Sequence, residues 1–577
     1  MLLIKSELLE LLKNAVEQVV RENNLPAEIL DRPITLEVPK MPEHGDFATT
    51  FALAAAKQAR INPRELAQKI LDRLPIGQEP LKSAELAGPG FINLRIADAS
   101  LARGLRRVLD AGDDWGRGAP VSGRINLEFV SANPTGPMHV GHGRGAAVGD
   151  SLARILRFAG REVFTEYYVN DAGRQVSHLA ASIWSRYIDL CREQDATIEA
   201  VPFPEDGYHG GYVVDFARSY LDRFGLAPAL AGYDAAAMKA FGVELALAEI
   251  RTTLDQFNVH FDVFTSEATL HDDGAVTRAM DLLGEKGLTY EQEGALFFAA
   301  TRFGDEKDRV MIRANGEPTY FAADIAYHLH KFNRGFDQLM DIWGADHHGY
   351  ISRVKCALEA FGYRQDQLAV LLVQFVSLVN QGEKLAMGKR SGNFVTLQDL
   401  IDTVSCDVTR WFFLAKTHDV AVDFDLEVAT SADPRENQAR YVQYGHARAC
   451  AIWRRAAMWN LTVADLSAAD FTRLAATEEQ AIARMLLSYP ELVADAAANF
   501  LPHRVASYAL DLCRAFHSYY TRFKDDPILP RSGQEIADRA KTIDRLGLVE
   551  AYRTVLRSCL SLLGITAPEA MTAPEEE

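Results

Sequence analysis

The sequence predicts a multidomain α/β protein in which a parallel-sheet domain carrying an insertion follows a small α+β domain and precedes an all-α helical bundle. Three observations predict it. At 577 residues the chain exceeds what one hydrophobic core ordinarily serves. From Arg124 onward, apolar runs such as RINLEFV, EVFTEYYV, DQLMDIWG and LAVLLVQFVSLVN alternate with helical stretches, the texture of a parallel sheet. After about Ser431 those runs disappear, and long helical patterns such as RYVQYGHARACAIWRRAAM and RVASYALDLCRAFHSYYTRF continue to the end.

The first segment, residues 1–115, opens with MLLIKSELLELLKNAVEQVV. Acidic residues lie within its apolar spacing, so it reads as an amphipathic helix and not a secretory signal. ITLEVP follows as a short strand, then a turn at Gly45 to Phe47 and an Ala-rich helix from Ala48 to Ala59. Asn62-Pro63 opens a further helix, because proline suits the first helical position. AGPGFINLRI reads as a turn and an alternating strand, and the stretch from Gly112 to Gly123 as a linker. The parallel-sheet domain is expected over residues 116–430, with a mostly helical insertion at about 173–290. The helical domain takes residues 431–577, and its tail, MTAPEEE, is expected to fray.

Composition narrows the function. Lys and Arg number 61 against 79 Asp and Glu, a net charge of -18, which excludes coating of nucleic acid, DNA included, by bulk electrostatics. Any RNA site must be locally basic. The six cysteines form no CxxC pair, so neither a zinc knuckle nor a disulfide framework is expected, and a cytoplasmic setting fits. No apolar run of about 18 residues predicts a membrane span.

The segment RINLEFVSANPTGPMHVGHGRGAAVGD joins an apolar strand, a Pro- and Gly-containing loop and a helix opening near His139. Nucleotides bind where the carboxyl end of a parallel strand faces a helix N-terminus. His139 and His142 are three apart and share one helix face, where both can donate to phosphate oxygens; Gly141 and Gly143 remove side chains where a base or ribose would approach. The bland alternative is a helix start with ordinary histidines. A zinc site is a further alternative, with His347-His348 offering a third ligand, but that pair follows Trp343-Gly344-Ala345-Asp346, a second strand end facing the same crevice. A third element, GEKLAMGKRSGNFVTLQDL, is a basic loop before a helix capped by Thr396 with Asp399 three residues on. Lys389 and Arg390 could fold over a polyphosphate, the alternative being a solvated loop.

In this order, His139-Val140-Gly141-His142 and Met387-Gly388-Lys389-Arg390 resemble the HIGH and KMSK signatures of class I aminoacyl-tRNA synthetases. SANPTGPMHVGHGRGAAVGD, YYVNDAGRQ, FAADIAYHLHKFNRGFD, WGADHHGY and YVQYGHARA are similar to segments of bacterial arginyl-tRNA synthetases. The resemblance runs from the GDFAT segment to the last helix. It implies a Rossmann-like catalytic domain that activates L-arginine with ATP, accompanied by Mg²⁺, and charges tRNA(Arg), in a protein expected to be monomeric.

The same resemblance implies roles residue by residue. His139, His142 and Lys389 would be catalytic. ATP would lie against His139, Gly141, His142, Gly344, Asp346, His347, Met387 and Lys389. Arginine would be held by Glu128, Ser131, Asn133, His139, Tyr320 and Asp324, since a planar cation with five donors asks for carboxylates in forked geometry. The N-terminal domain, with Phe47, would contact the outer corner of tRNA, and Tyr441, Arg514, His517 and Tyr519 would meet the anticodon. No metal site within the protein is implied. The chain departs from the pattern in its second motif, where Ala386 and Gly388 replace the first Lys and the Ser; Gly136 and Pro137 stand where some members carry a compensating Lys. A non-catalytic tRNA-binding paralogue, or a class I synthetase for another amino acid, are the alternatives.

Overall fold

A computed structural model describes residues 2–39, 41–384, 395–522 and 526–571. The N-terminal unit comprises α1 (Leu2–Glu22), β1 (Phe47–Thr49), α2 (Phe51–Ala59), α3 (Pro63–Leu71), β2 (Leu81–Ala87), β3 (Phe91–Ile96) and α4 (Asp98–Ala111). Its antiparallel sheet runs β1-β3-β2. As expected, Asn62 caps α3, its side chain accepting from the Arg64 amide with Pro63 at the first turn. Two expectations are corrected. ITLEVP forms only a single bridge, Glu37 to Ala48, and the Ala-rich helix begins at Phe51 because Phe47 to Thr49 are drawn into the sheet against β3. Gly45 permits that: at φ +97° its backbone lies against Leu94, where a Cβ would stand 2.7 Å from the carbonyl oxygen.

The central unit contains β4 (Val121–Glu128), α5 (Val140–Phe158), β5 (Arg161–Val169), α6 (Arg174–Gln194), α7 (Gly211–Phe224), α8 (Ala227–Ala231), α9 (Ala235–Gln256), β6 (Val263–Ser266), α10 (Glu267–Asp272) and α11 (Ala275–Glu285). A small antiparallel sheet follows: β7 (Thr289–Gln292), β8 (Ala295–Phe298) and β9 (Arg309–Ile312). Then come α12 (Tyr320–Asn333), β10 (Gln338–Gly344), α13 (Ile351–Phe361), β11 (Leu368–Val373), β12 (Val376–Asn380), β13 (Glu383–Lys384), α14 (Leu397–Val404), α15 (Cys406–Leu414), β14 (Val422–Asp425) and α16 (Leu426–Thr430).

Five strands form one wholly parallel sheet in the order β11-β10-β4-β5-β6. From β4 the chain winds one way to β5 and β6 and the other way to β10 and β11, so the carboxyl ends of β4 and β10 flank a topological switch point, where open α/β sheets bind ligands. Two differences from expectation appear here. The stretch 173–290 is not wholly an insertion, since β6 lies within it and forms the sheet's edge; the helical excursion is α6 to α9, which close their own apolar core. And LAVLLVQFVSLVN is two strands: it breaks at Gln374-Phe375, where Gln374 N donates to His418 O and Phe375 O accepts from Val422 N, so that β12 joins a second sheet with β13 and β14.

The C-terminal unit is helical as expected: α17 (Gln438–Ala456), α18 (Thr477–Ala498), α19 (His503–Arg522) and α20 (Arg539–Leu562). A continuous apolar core runs from α1 through α5 to α20. Polar ties reinforce it: Arg484 on α18 pairs with Asp46, and the Trp115 indole donates to Leu486 O at 3.0 Å. Arg410, fully buried, donates to Leu563 O at the end of α20, to Phe257 O, and to Asp150 on α5.

Helix α5 crosses the sheet where Gly149 lies under Phe129, and an added Cβ would overlap the root of that ring, which cannot swing aside. Overpacking of this kind costs about 1–3 kcal/mol. Gly149→Ala is therefore expected to lower the melting temperature measurably, followed by circular dichroism; an unchanged midpoint would contradict the packing described.

Candidate active site

A cavity of about 710 Å³ opens at the switch point. The loop after β4 (Val130 to Asn133), the end of β10 (Ile342 to Gly344), the end of β11 (Val373 to Phe375) and the first turn of α5 line it. His139 is the N-cap of α5: its Nδ1 accepts from the His142 amide at 3.3 Å. That bond places the proton of a neutral His139 ring on Nε2. The two imidazoles stack with centroids 3.6 Å apart. Gly141 faces the same ring, where a Cβ would stand 3.0 Å from it. The positive end of the α5 dipole and these two histidines thus face one opening, an arrangement suited to an anion.

The loop after β4 turns sharply. Val130 and Ser131 have φ of +69° and +38°, rare for side-chain-bearing residues and for a β-branched one above all. Ser131 Oγ secures the turn by donating to Glu128 Oε1 at 2.8 Å and accepting from the Tyr168 amide at 3.0 Å. Further on, Gly136 packs on Tyr212, a Cβ there standing 2.5 Å from the ring, and Tyr212 donates to Thr135 O. Tyr212 thus occupies the space that a side chain at position 136 would need.

Behind the loop lies a row of carboxylates. Asp341 on β10, Glu128 on β4 and Glu166 on β5 are register neighbours across three adjacent strands. Helix α12 covers them and supplies their partners. Lys331 donates to Glu128 Oε2 at 2.5 Å and Asp341 Oδ1 at 3.1 Å; His328 Nε2 meets Asp341 Oδ2 at 2.7 Å; Arg334 and the Tyr327 hydroxyl reach Glu166. Burial opposes ionisation of Asp341, yet the charges of Lys331 and His328 bring its pKa down to about 2. Burial likewise opposes charge on Lys331 and His328, and Asp341 outweighs it in both, raising them. Asp324, on the same helix, has no direct ion pair of this kind among the described residues. Burial raises it to about 6, against the hydrogen bond donated by Tyr350 at 2.6 Å and the nearby charge of His328. Beside it the Tyr168 hydroxyl, raised by burial and by the charges of Glu267, Asp324 and Glu128, marks a recess that is acidic overall.

The cavity brings together His139, Gly141, His142, Ser131, Asn133, Gly344, Asp346 and His347. Glu128 and Asp324 do not line it but sit in the acidic recess behind it, while Tyr320, at the start of α12, is 55% exposed. Met387 and Lys389 lie outside the described residues. The loop that carries them ends beside the histidines, since Leu397 N donates to Met138 O and Thr396 bridges His139, with Thr396 and Asp399 forming the expected capping box on α14. Among the described residues no three His, Cys, Asp or Glu side chains converge as metal ligands.

Sequence reasoning missed Lys331, Asp341 and Gln175, the last accepting from Asn133 Nδ2 at 2.8 Å, and also the 63% exposed Phe375 on the cavity wall. The segments YYVNDAGRQ and FAADIAYHLHKFNRGFD held the signal for the first and third of these.

Two of the residues expected to meet tRNA are not exposed. Phe47 and Tyr519 are fully buried, because alternation along β1 turns Phe47 inward and Tyr519 faces the helical core, donating to Glu479. Arg514 and His517 are exposed and Tyr441 half-buried. His517 joins Arg448, Arg455, Arg531 and Tyr520 around a recess of about 420 Å³, with the Arg448 guanidinium 5.1 Å from the Tyr520 ring.

Comparison with known proteins bears directly on this geometry. Three family profiles match: the arginyl tRNA synthetase N terminal domain over residues 6–96, the catalytic domain of class I (R) tRNA synthetases over 106–202 and 228–420, and the DALR anticodon binding domain over 442–571. The arginine–tRNA ligase of Azoarcus sp. (strain BH72) is 43% identical over 605 residues, covering 98% of this chain and 99% of that one. That of Syntrophotalea carbinolica is 45% identical over 544 residues, covering 93% and 95%. In fold, the chain matches Thermus thermophilus arginyl-tRNA synthetase with a TM-score of 0.71 at 24% identity, covering 98% of this chain and all of that one. Similarity that spans the N-terminal unit, the switch-point crevice and the helical bundle alike means that this chain belongs to the arginyl-tRNA synthetase family.

Proposed function

We propose that the chain is an arginine–tRNA ligase whose switch-point crevice joins L-arginine to ATP and then passes the arginyl group to the 3′-terminal adenosine of tRNA(Arg), in the cytoplasm and as a monomer. The observation that carries this reading is the adjacency of two sites of opposite character: a stacked histidine pair at a helix N-terminus and a net-acidic recess directly behind it. One suits a polyphosphate, the other a guanidinium.

In the first step an oxygen of the arginine carboxylate attacks the α-phosphorus in line, forming the mixed anhydride and releasing pyrophosphate. The carboxylate is already an anion, so no general base is required. Catalysis rests on positioning and on stabilising charge on the phosphoryl oxygens. His139 Nε2–H and His142 donate to those oxygens and Lys389 meets the leaving pyrophosphate; Mg²⁺ accompanying ATP would supply further positive charge for the phosphates. Gly141, Gly344, Asp346 and His347 form the walls around ATP, with the exposed ring of Phe375 available for stacking on the base; Met387 is assigned to ATP by family resemblance alone. Asn133, Ser131 and His139 take the α-amino end of arginine; Glu128, Asp324 and Tyr320 take the guanidinium. In the second step the terminal 2′-hydroxyl attacks the arginyl carbonyl carbon and AMP leaves. The basic, aromatic recess at Arg448, His517 and Tyr520 suits an unpaired anticodon base.

Arginine-dependent exchange of pyrophosphate into ATP, with and without tRNA and across an amino-acid panel, tests the reading: exchange with arginine alone supports it, and exchange with another amino acid contradicts it. Removing one phosphate-stabilising donor typically costs about 3 kcal/mol, roughly a hundredfold in rate. His142→Ala and Lys389→Ala should each lose at least that in kcat, and near-normal turnover in either is incompatible with the assigned roles. A pH profile gives a separate check. Burial raises Asp324 to about 6, so below that value the empty recess holds a protonated acid that a cation must deprotonate. KM for arginine is therefore expected to rise as pH falls through 6 and to be flat between 7 and 8, and Asp324→Asn should abolish that limb.

A further inference from the structure

We propose that Lys331 is a positioning residue that fills the ammonium position of the acidic recess with the protein's own cation, leaving separated acceptors that suit a guanidinium and so excluding lysine as a substrate. The proposal deepens the assignment of Glu128 and Asp324 to the arginine side chain and rests on it.

Lys331 is fully buried, and each direction open to its ammonium has a partner: Glu128 at 2.5 Å, Asp341 at 3.1 Å and the face of Tyr327, 4.4 Å to the centroid. It sits seven residues after Asp324 on α12, so two turns of one helix place the cation and this second acid on the same inner face. Glu128 is held at both oxygens, Oε2 by Lys331 and Oε1 by Ser131. Each oxygen keeps one further lone pair, aimed by bonds that the substrate need not make. Asp324 is half-committed too, with Tyr350 on Oδ2.

What remains for a ligand is acceptors spread over two carboxylates. A guanidinium spreads its charge and five N–H groups over a plane and is weakly hydrated, so it can use separated acceptors. A lysine ammonium is a compact, strongly hydrated charge that needs several acceptors around one point. The one such point among the described residues of this recess, between the register neighbours Glu128 and Asp341, is already occupied by Lys331.

The variants separate the parts of the claim. Lys331→Met keeps the volume and removes the cation. It should raise KM for arginine at least about tenfold with KM for ATP within about twofold, because only the guanidinium acceptors lose their aim. Lys331→Ala opens the ammonium position and should lower the ratio of kcat/KM for arginine over lysine in pyrophosphate exchange by about tenfold or more. Where the single variants do not fold, Lys331→Met/Asp341→Asn, which removes opposite charges together, carries the first measurement. A merely structural lysine would lower the melting temperature and depress both substrates' parameters alike, with the arginine-to-lysine ratio unmoved; that result overturns the proposal. Glu128→Gln keeps the two levels apart. If it leaves KM for arginine unchanged, the assignment of Glu128 fails; if it raises KM while the Lys331 variants leave KM and the ratio unchanged, the assignment stands and the proposal falls.

Discussion

Three carboxylates stand side by side across the central sheet, Asp341, Glu128 and Glu166, each at the same register on neighbouring parallel strands. Parallel strands under helices are ordinarily apolar on both faces, and unpaired buried charges are costly by several kcal/mol each. The arrangement persists only because one helix brings the compensating side chains. Tyr327, His328, Lys331 and Arg334 project from a single face of α12 onto the row. The position of α12, and with it that of Tyr320 and Asp324 at its start, is therefore set by charge pairing as much as by apolar packing. The loop after β4 depends on the same pairing, since the strained turn at Val130 and Ser131 is secured through Glu128.

The other half of the site depends on α5, which is braced along its length by buried arginines. Near the histidines, Arg144 donates to the carbonyls of Gln374 and Thr417 at 2.8 Å each. Arg144 is fully buried, and that burial lowers its pKa to about 10 against the opposing charge of Asp419. Gln374 lines the cavity and marks the break between the two sheets, so Arg144 ties the wall of the crevice to the helix that closes it. Farther along, Arg410 links Asp150 on α5 to the carbonyl of Leu563, the cap of α20. The helix presenting its N-terminus to the cavity is thereby packed between the sheet and the C-terminal bundle.

What could be read from the residues was what local chemistry determines. Asn62 before Pro63, and Thr396 three residues ahead of Asp399, announce helix starts because capping is settled within one turn. The histidine pair was legible for the same reason, and the all-α character of the last domain follows from periodicity. The break in LAVLLVQFVSLVN was not, because an unbroken apolar run carries no mark of where one sheet yields to another; the partners that split it, His418 and Val422, lie over forty residues on. β6 is four residues long and only half-buried, too little pattern to separate from its helical surroundings. Phe47 and Tyr519 show the limit most plainly: an aromatic ring suits a core or an RNA contact equally well until tertiary packing turns it one way. The part played by Lys331 was hidden because its two partners are on different strands, one of them more than two hundred residues away.

The account turns on where a guanidinium comes to rest. A crystal structure of the protein with L-arginine bound tests that most directly. The account predicts the guanidinium in the recess between Glu128 and Asp324 beside Tyr320, the α-amino group near Asn133 and Ser131, and Lys331 still joined to Glu128 and Asp341. Arginine bound with its side chain elsewhere, or Lys331 withdrawn from Glu128 to admit it, would contradict the account.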